Sequence, residues 1–132
     1  MNYELLEHTA DAKFRAYGKN KEAAFANAVK GMTAIITDPE KLAKDREFPV
    51  TVTADDNKKL LFDFLDQILF LMDTEHFVPA EADVRIEGNT LTAALRGDDV
   101  KKVGGNLKAV TYSEMEITQQ DGQWMLQVVV DI

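Results

Sequence analysis

Apolar residues recur along the chain with two different spacings, and each spacing predicts a different element. Recurrence at every third or fourth position predicts helices over 21–36 and 58–74. Recurrence at every second position predicts strands, because alternate side chains of a strand share one face. The predicted strands cover 12–17, 48–53, 82–87, 90–95, 107–118 and 123–132.

Turn residues between the last four strands indicate that these strands pair as hairpins. Gly88-Asn89 separates one pair and Asp121-Gly122 the other, and both dipeptides favour tight turns. Hairpins combined with two helices predict an α+β fold in two layers, a mainly antiparallel sheet packed against two helices. No repeat, linker or low-complexity segment divides the chain, so we expect residues 1–132 to form a single domain.

Composition excludes several classes of function. Lysine and arginine number 15 against 23 aspartates and glutamates, and a net charge of −8 repels a phosphate backbone, so we expect no direct binding of nucleic acid. The absence of cysteine excludes disulfides, thiolate catalysis and thiolate zinc sites. Acidic residues interrupt the longest apolar stretch, Leu60–Met72, so it does not predict a membrane span. The first residues lack the pattern of a signal peptide, and we expect a soluble cytoplasmic protein.

Candidate chemistry lies at the two ends of the chain. The apolar segment 126–132 predicts a strand held in a sheet, which would fix Asp131 and the terminal carboxylate of Ile132 in place. If that strand lies near Asp11, oxygen atoms gather beside His8 and form a site suited to a divalent cation. Simpler interpretations stay open: Asp11 caps a turn, His8 binds backbone, and Asp131 is exposed.

The second predicted helix carries acidic and aromatic residues that its core face does not require. Asp66 and Asp73 are seven residues apart and therefore share a face, which we interpret as solvated. Carboxylates near a helix C-terminus oppose the helix dipole, so Asp73 and Glu75 indicate exposure or contact with a partner. Phe62 and Phe70 are candidate interface residues on the same helix.

Short blocks along nearly the whole chain, taken in order, resemble the archease family, small proteins that activate the RtcB-type tRNA-splicing RNA ligase. Each block is weak evidence alone, and the ordered set is specific. The blocks are Glu7-His8-Thr9-Ala10-Asp11, Arg15-Ala16-Tyr17-Gly18, Gly31-Met32, Leu60–Leu65, Leu69–Glu75, Lys108-Ala109-Val110-Thr111-Tyr112 and Val129-Val130-Asp131-Ile132.

The resemblance implies a metal-binding protein cofactor and not an enzyme. Such a protein promotes guanylylation of the ligase's active-site histidine and multiple turnover in tRNA splicing and RNA repair. The implied metal ligands are Asp11, Asp131 and the terminal carboxylate of Ile132, and oxygen ligands suit calcium, magnesium and manganese alike. The implied contacts with the partner or with phosphate are His8, Lys108, Asp73 and Glu75.

The chain departs from the family pattern at two places, and other functions stay open. Ser113 stands where the family commonly has histidine, and Asn106-Leu107 stand where an acidic residue is common. One alternative is a chaperone or adaptor that needs no metal. Another is a small metal-dependent phosphohydrolase, which the acidic surface and the absence of a base-activation motif disfavour. The sequence contains no nucleophile elbow, phosphate loop or dinucleotide fingerprint.

Overall fold

A computed structural model describes residues 2–6, 11–102 and 106–132. Within these ranges the chain forms seven strands, two α-helices and two short 3₁₀ helices. The α-helices are α1 (Lys21–Ala34) and α2 (Asn57–Glu75), and the 3₁₀ helices are Pro39–Lys41 and Val100–Lys102. The strands are β1 (Tyr3–Leu6), β2 (Ala12–Gly18), β3 (Arg46–Thr53), β4 (Phe77–Glu87), β5 (Thr90–Asp99), β6 (Ala109–Gln120) and β7 (Gln123–Asp131).

The described strands form two antiparallel sheets. One sheet has four strands in the order β1-β2-β7-β6, and the other has three in the order β3-β5-β4. Each helix contacts strands of both sheets: α1 packs on β2 and β4, and α2 packs on β6 and β3. The prediction of an α+β fold with antiparallel pairing and two helices is therefore confirmed. None of the helices in the described ranges is both long and apolar enough to cross a membrane.

Side chains and backbone groups define both ends of α2. Asp56 is the N-cap, and its carboxylate accepts a hydrogen bond of 2.8 Å from the amide of Lys59. At the other end His76 adopts a left-handed conformation with φ of 52°, which stops the helix. The guanidinium of Arg46 donates to the carbonyls of Glu75 and His76, at 2.9 and 3.1 Å. These bonds satisfy carbonyls that have no partner inside the helix.

The core lies where the helices meet the two sheets. Phe25 of α1 and Phe64 of α2 stack with ring centroids 6.4 Å apart, so the helices also pack on each other. Helix α1 approaches β2 closely at Gly31, where a Cβ atom would lie 2.6 Å from the ring of Phe14. The largest fully buried side chains are Phe14, Phe25, Phe64, Phe77, Met32, Leu60, Leu61, Leu65, Ile68, Leu91, Leu95 and Leu126.

Several strands differ in extent from the sequence-based prediction: β3 begins at Arg46, β5 continues to Asp99 and β6 covers Ala109–Gln120. Two further differences involve whole segments. Strand β1 was not predicted, and it is only 4 residues long. Strand β4 begins at Phe77, although the alternating pattern starts at 82. Its first four residues, 77–80, are all buried. Both faces of this segment are therefore covered, and the sequence lacks the alternation of polar and apolar residues that indicates a strand.

Candidate metal edge and adjoining groove

The pairing of β2 with β7 brings the two predicted aspartates to one edge of the four-stranded sheet. The outermost pair joins Ala12 to Val130. Asp11 directly precedes Ala12 and lies just outside β2, and Asp131 directly follows Val130 as the last residue of β7. Two residues from distant parts of the sequence are therefore brought to the same end of two neighbouring strands, and we call this place the metal edge, defined by Asp11 and Asp131.

Strand β6 holds the other side of Asp131. Ala109 pairs with Asp131, and the amide of Lys108 donates a hydrogen bond of 2.9 Å to the Asp131 carbonyl. The backbone at Asp131 is therefore held by β6, and the preceding residue, Val130, also pairs with Ala12 of β2. Ile132 follows and is half exposed, at 49%. The backbone of Asp131 is therefore held in place, while its surroundings are open to solvent.

A polar network covers the sheet face next to this edge. Lys13 forms an ion pair with Glu114 at 3.3 Å. The guanidinium of Arg15 donates to the side-chain oxygen of Gln127, whose amide group donates to the Glu114 carbonyl. Glu114 has a φ of 53° within the irregular part of β6, where its pairing with β7 shifts. The bonds to Gln127 and Lys13 hold this unusual backbone in place beside the edge.

The donors at the metal edge have the chemistry of a site for a hard cation. The carboxylates of Asp11 and Asp131 and the terminal carboxylate of Ile132 offer only oxygen atoms. Across the described ranges, no three or more histidine, aspartate or glutamate side chains come together as a metal cluster. His8, the other predicted neighbour, lies outside the described residues.

The positions at which the chain departs from the family pattern have clear structural surroundings. The amide of Ser113 donates to the hydroxyl of Thr111 at 3.2 Å, within the irregular part of β6. Leu107 is 8% exposed and belongs to the main apolar cluster. Asn106 is exposed. The side chain of Leu107 therefore packs in the core. An acidic side chain at this position would have to turn away from the core, because burying an unpaired carboxylate is costly.

A groove of about 680 Å³ separates the C-terminal half of α2 from the beginning of β6. It brings together two of the predicted contact residues, Asp73 on the helix and Lys108 before the strand. Asp66, Phe70 and His76 also line it. We call this feature the α2–β6 groove. The seven-residue spacing of Asp66 and Asp73 indicated a shared face, but no local pattern indicated that Lys108 lies opposite them.

The remaining predicted contact, Glu75, is exposed at the end of α2 and does not line the groove. Its carbonyl accepts the hydrogen bond from Arg46 that completes the helix. The structure therefore assigns its backbone a role in ending α2 and leaves its carboxylate on the surface.

With two antiparallel sheets and two helices that contact both, the chain has an α+β fold in which the last strand, β7, pairs with β2 next to Asp11. The model of the Archease protein family (MTH1598/TM1083) matches residues 3–132. The protein belongs to the archease family. Protein archease of Methanosarcina barkeri is 38% identical over 139 residues, with 98% of this chain and 95% of that protein covered. Protein archease of Methanothermobacter thermautotrophicus is 35% identical over 137 residues, with 98% of each covered.

Two solved structures resemble the fold. The solution structure of Methanobacterium thermoautotrophicum protein 1598 matches with a TM-score of 0.82 and 31% identity, covering 99% of each chain. The crystal structure of an archease, possible chaperone, from Thermotoga maritima matches with a TM-score of 0.69, covering 96% of this chain and 94% of that one. Its identity is 21%, so this second likeness supports the fold alone.

Proposed function

We propose that this protein is a metal-binding cofactor of an RtcB-type tRNA-splicing RNA ligase. It promotes guanylylation of the ligase's histidine and sustains multiple turnover in tRNA splicing and RNA repair, and it acts in the cytoplasm as a partner rather than an enzyme. Membership of the archease family supports the proposal that the partner is this ligase. The observation that carries the proposal is the pairing of Ala12 with Val130, which puts Asp11 and Asp131 at one sheet edge.

The ligands of the proposed site are Asp11, Asp131 and the terminal carboxylate of Ile132. A divalent cation bound there would supply positive charge for phosphate oxygens. The chain's own contribution is positional. The amide of Lys108 holds the Asp131 backbone through a bond of 2.9 Å, and the pairing of Val130 with Ala12 anchors the preceding residue to β2. The exposed Lys108 side chain adds a cation next to this edge, suited to phosphate or to an acidic surface of the partner.

The test measures guanylylation of the cognate ligase under multiple turnover with wild type, Asp11→Asn and Asp131→Asn. Asparagine keeps the size of each side chain and removes its charge. We expect each variant to lose activation by about tenfold or more, together with its calcium or manganese affinity, since lost ligand interactions weaken metal sites on that scale. Asp55→Asn, at an exposed turn residue away from the edge, is the matched control. Normal activation by either edge variant would contradict the metal mechanism.

A metal-independent chaperone is the second candidate. The Thermotoga maritima relative is described as a possible chaperone. In the described part of this chain, Phe70, Leu5 and Tyr112 are large apolar residues exposed at 59%, 51% and 51%. A chaperone would suppress aggregation of an unfolded client with wild type and with Asp11→Asn alike. The same preparations would show phosphatase activity without the ligase if the protein were a small phosphohydrolase.

A further inference from the structure

Helix α2 carries a stripe of residues of which only Phe62 packs against the core. Phe62, Asp66, Phe70 and Asp73 follow one another at intervals of four, four and three residues, so they share one side of the helix. Phe70 is 59% exposed, which is unusual for a phenylalanine. At the N-terminal end of the stripe, Phe62 stacks on Tyr112 of β6, with centroids 4.3 Å apart and planes at 8°. The stripe therefore runs beside β6, from an aromatic pair to the α2–β6 groove.

The acidic residues of this stripe lack the ion pairs that several other surface carboxylates form. Asp66 and Asp73 are exposed and form no ion pair with any residue in the described ranges. Asp63, on the same helix, is paired with Lys59 at 2.9 Å. On the smaller sheet, Arg96 similarly contacts three acidic side chains. The charge of the stripe is thus left for a partner to neutralise.

The groove also offers apolar surface next to these charges. Leu69 and Met72 of α2 and Leu107 before β6 line it together with Phe70. Its volume of about 680 Å³ is sufficient for one or two large side chains. An occupant that fits both features would combine an apolar side chain with positive charge.

We propose that the α2–β6 groove docks a basic segment of a partner protein, with an apolar side chain against Phe70 and an arginine near Asp66 and Asp73. Arginine suits the site because its guanidinium binds carboxylates and stacks on aromatic rings such as Phe70, which lines the groove. RNA is disfavoured because the two unpaired carboxylates outnumber Lys108, the single lysine among the described residues of the groove, and repel phosphate. A second copy is disfavoured because each copy carries a net charge of −8. The identity of the partner as the ligase rests on the proposed function.

The first test measures the Kd of the ligase complex and, separately, guanylylation at saturating protein. We expect Asp73→Lys and Phe70→Ala to raise Kd by about tenfold or more, as for central interface residues. Saturated activation should stay at the wild-type level because the metal edge is intact. Glu87→Lys changes the charge equally at an exposed hairpin residue of the smaller sheet and should leave Kd within about twofold. If Asp73→Lys and Phe70→Ala both bind like wild type while wild type activates, the groove proposal is overturned and the function stands.

A second test is independent of the ligase. Amide shifts of this protein are recorded by NMR during titration with acetyl-Arg-Leu-Ala-Arg-amide and with its acidic analogue acetyl-Glu-Leu-Ala-Glu-amide. We expect the basic peptide alone to perturb Asp66, Phe70, Asp73 and Lys108, and Asp66→Lys/Asp73→Lys to abolish the effect. Shifts scattered over the acidic surface, or equal shifts with both peptides, would overturn the proposal. A ligase that wild type fails to activate would contradict the proposed function and leave this result to decide the groove.

Discussion

Replacing Gly31 with alanine tests how tightly α1 packs on the strand that leads to the metal edge. The added Cβ would lie 2.6 Å from Cδ2 and 3.0 Å from Cε2 of Phe14. Carbon atoms prefer about 3.5–4.0 Å, so the helix and ring must separate by close to 1 Å. The ring cannot move freely because Phe14 is fully buried and its strand is paired on both sides.

Two opposing effects decide the sign of the change. Alanine is favoured over glycine inside a helix by about 0.8–1 kcal/mol. Overpacking a well-filled core costs about 1–3 kcal/mol. We therefore expect Gly31→Ala to lower the free energy of unfolding by up to about 2 kcal/mol, measured by urea denaturation. The contribution of helix propensity is measured separately, as the difference in the free energy of unfolding between Lys30→Ala and Lys30→Gly. Lys30 suits this comparison because it lies on the same helix and is partly exposed.

A second substitution distinguishes a steric clash with Phe14 from a general disturbance of the helix. Phe14→Leu removes part of the ring that the new Cβ would meet. In the Gly31→Ala background this change should cost less stability than in wild type, giving a coupling of about 0.5 kcal/mol or more. A Gly31→Ala protein about 1 kcal/mol more stable than wild type, as helix propensity alone predicts, would refute the packing argument.

Two further predictions concern the surface. Hydrogen bonds from Lys44 and Arg96 lower the pKa of Glu81 below 4.5, so the stability they give is present above that pH and is lost as pH falls through the folded-state pKa. Glu81→Gln should therefore flatten the acid limb of the unfolding curve, and an unchanged limb would contradict the assignment. Stacking of Phe62 on Tyr112 should contribute about 0.5–1.5 kcal/mol in a double-mutant cycle with alanine. A coupling near zero would show that each ring packs independently.

Local features of the fold could be predicted because their causes are local in sequence. Asp121 and Gly122 have φ of 54° and 75°, the left-handed turn that their dipeptide favours. Asn20 begins α1 by accepting the amide of Ala23, as its residue type indicates. The division of the strands into two sheets could not be predicted, since it depends on contacts between distant segments. The buried beginning of β4, from Phe77, was missed for a different reason, because burial on both faces removes alternation.

The candidate site shows the same limit. The apolar character of the last segment indicated that Asp131 would be held in a sheet, and this prediction is confirmed by its pairing with Ala109. Its position beside Asp11 depends on β7 lying next to β2, which no local pattern specifies. The groove was recognised only as a shared helix face for Asp66 and Asp73, because Lys108 reaches it through the packing of β6 on α2.

The position of β7 between β2 and β6 has a consequence for the order of folding. The pair Ala12–Val130 joins residues separated by more than one hundred positions, whereas Thr53 and Thr90 pair across a much shorter loop in the smaller sheet. Closing the longer loop costs more chain entropy, and such distant pairings form slowly. On the ribosome, the smaller sheet can assemble while β7 is still unsynthesised. The metal edge therefore matures last, and a nascent chain stalled before residue 123 carries Asp11 without the partner strand that completes the edge.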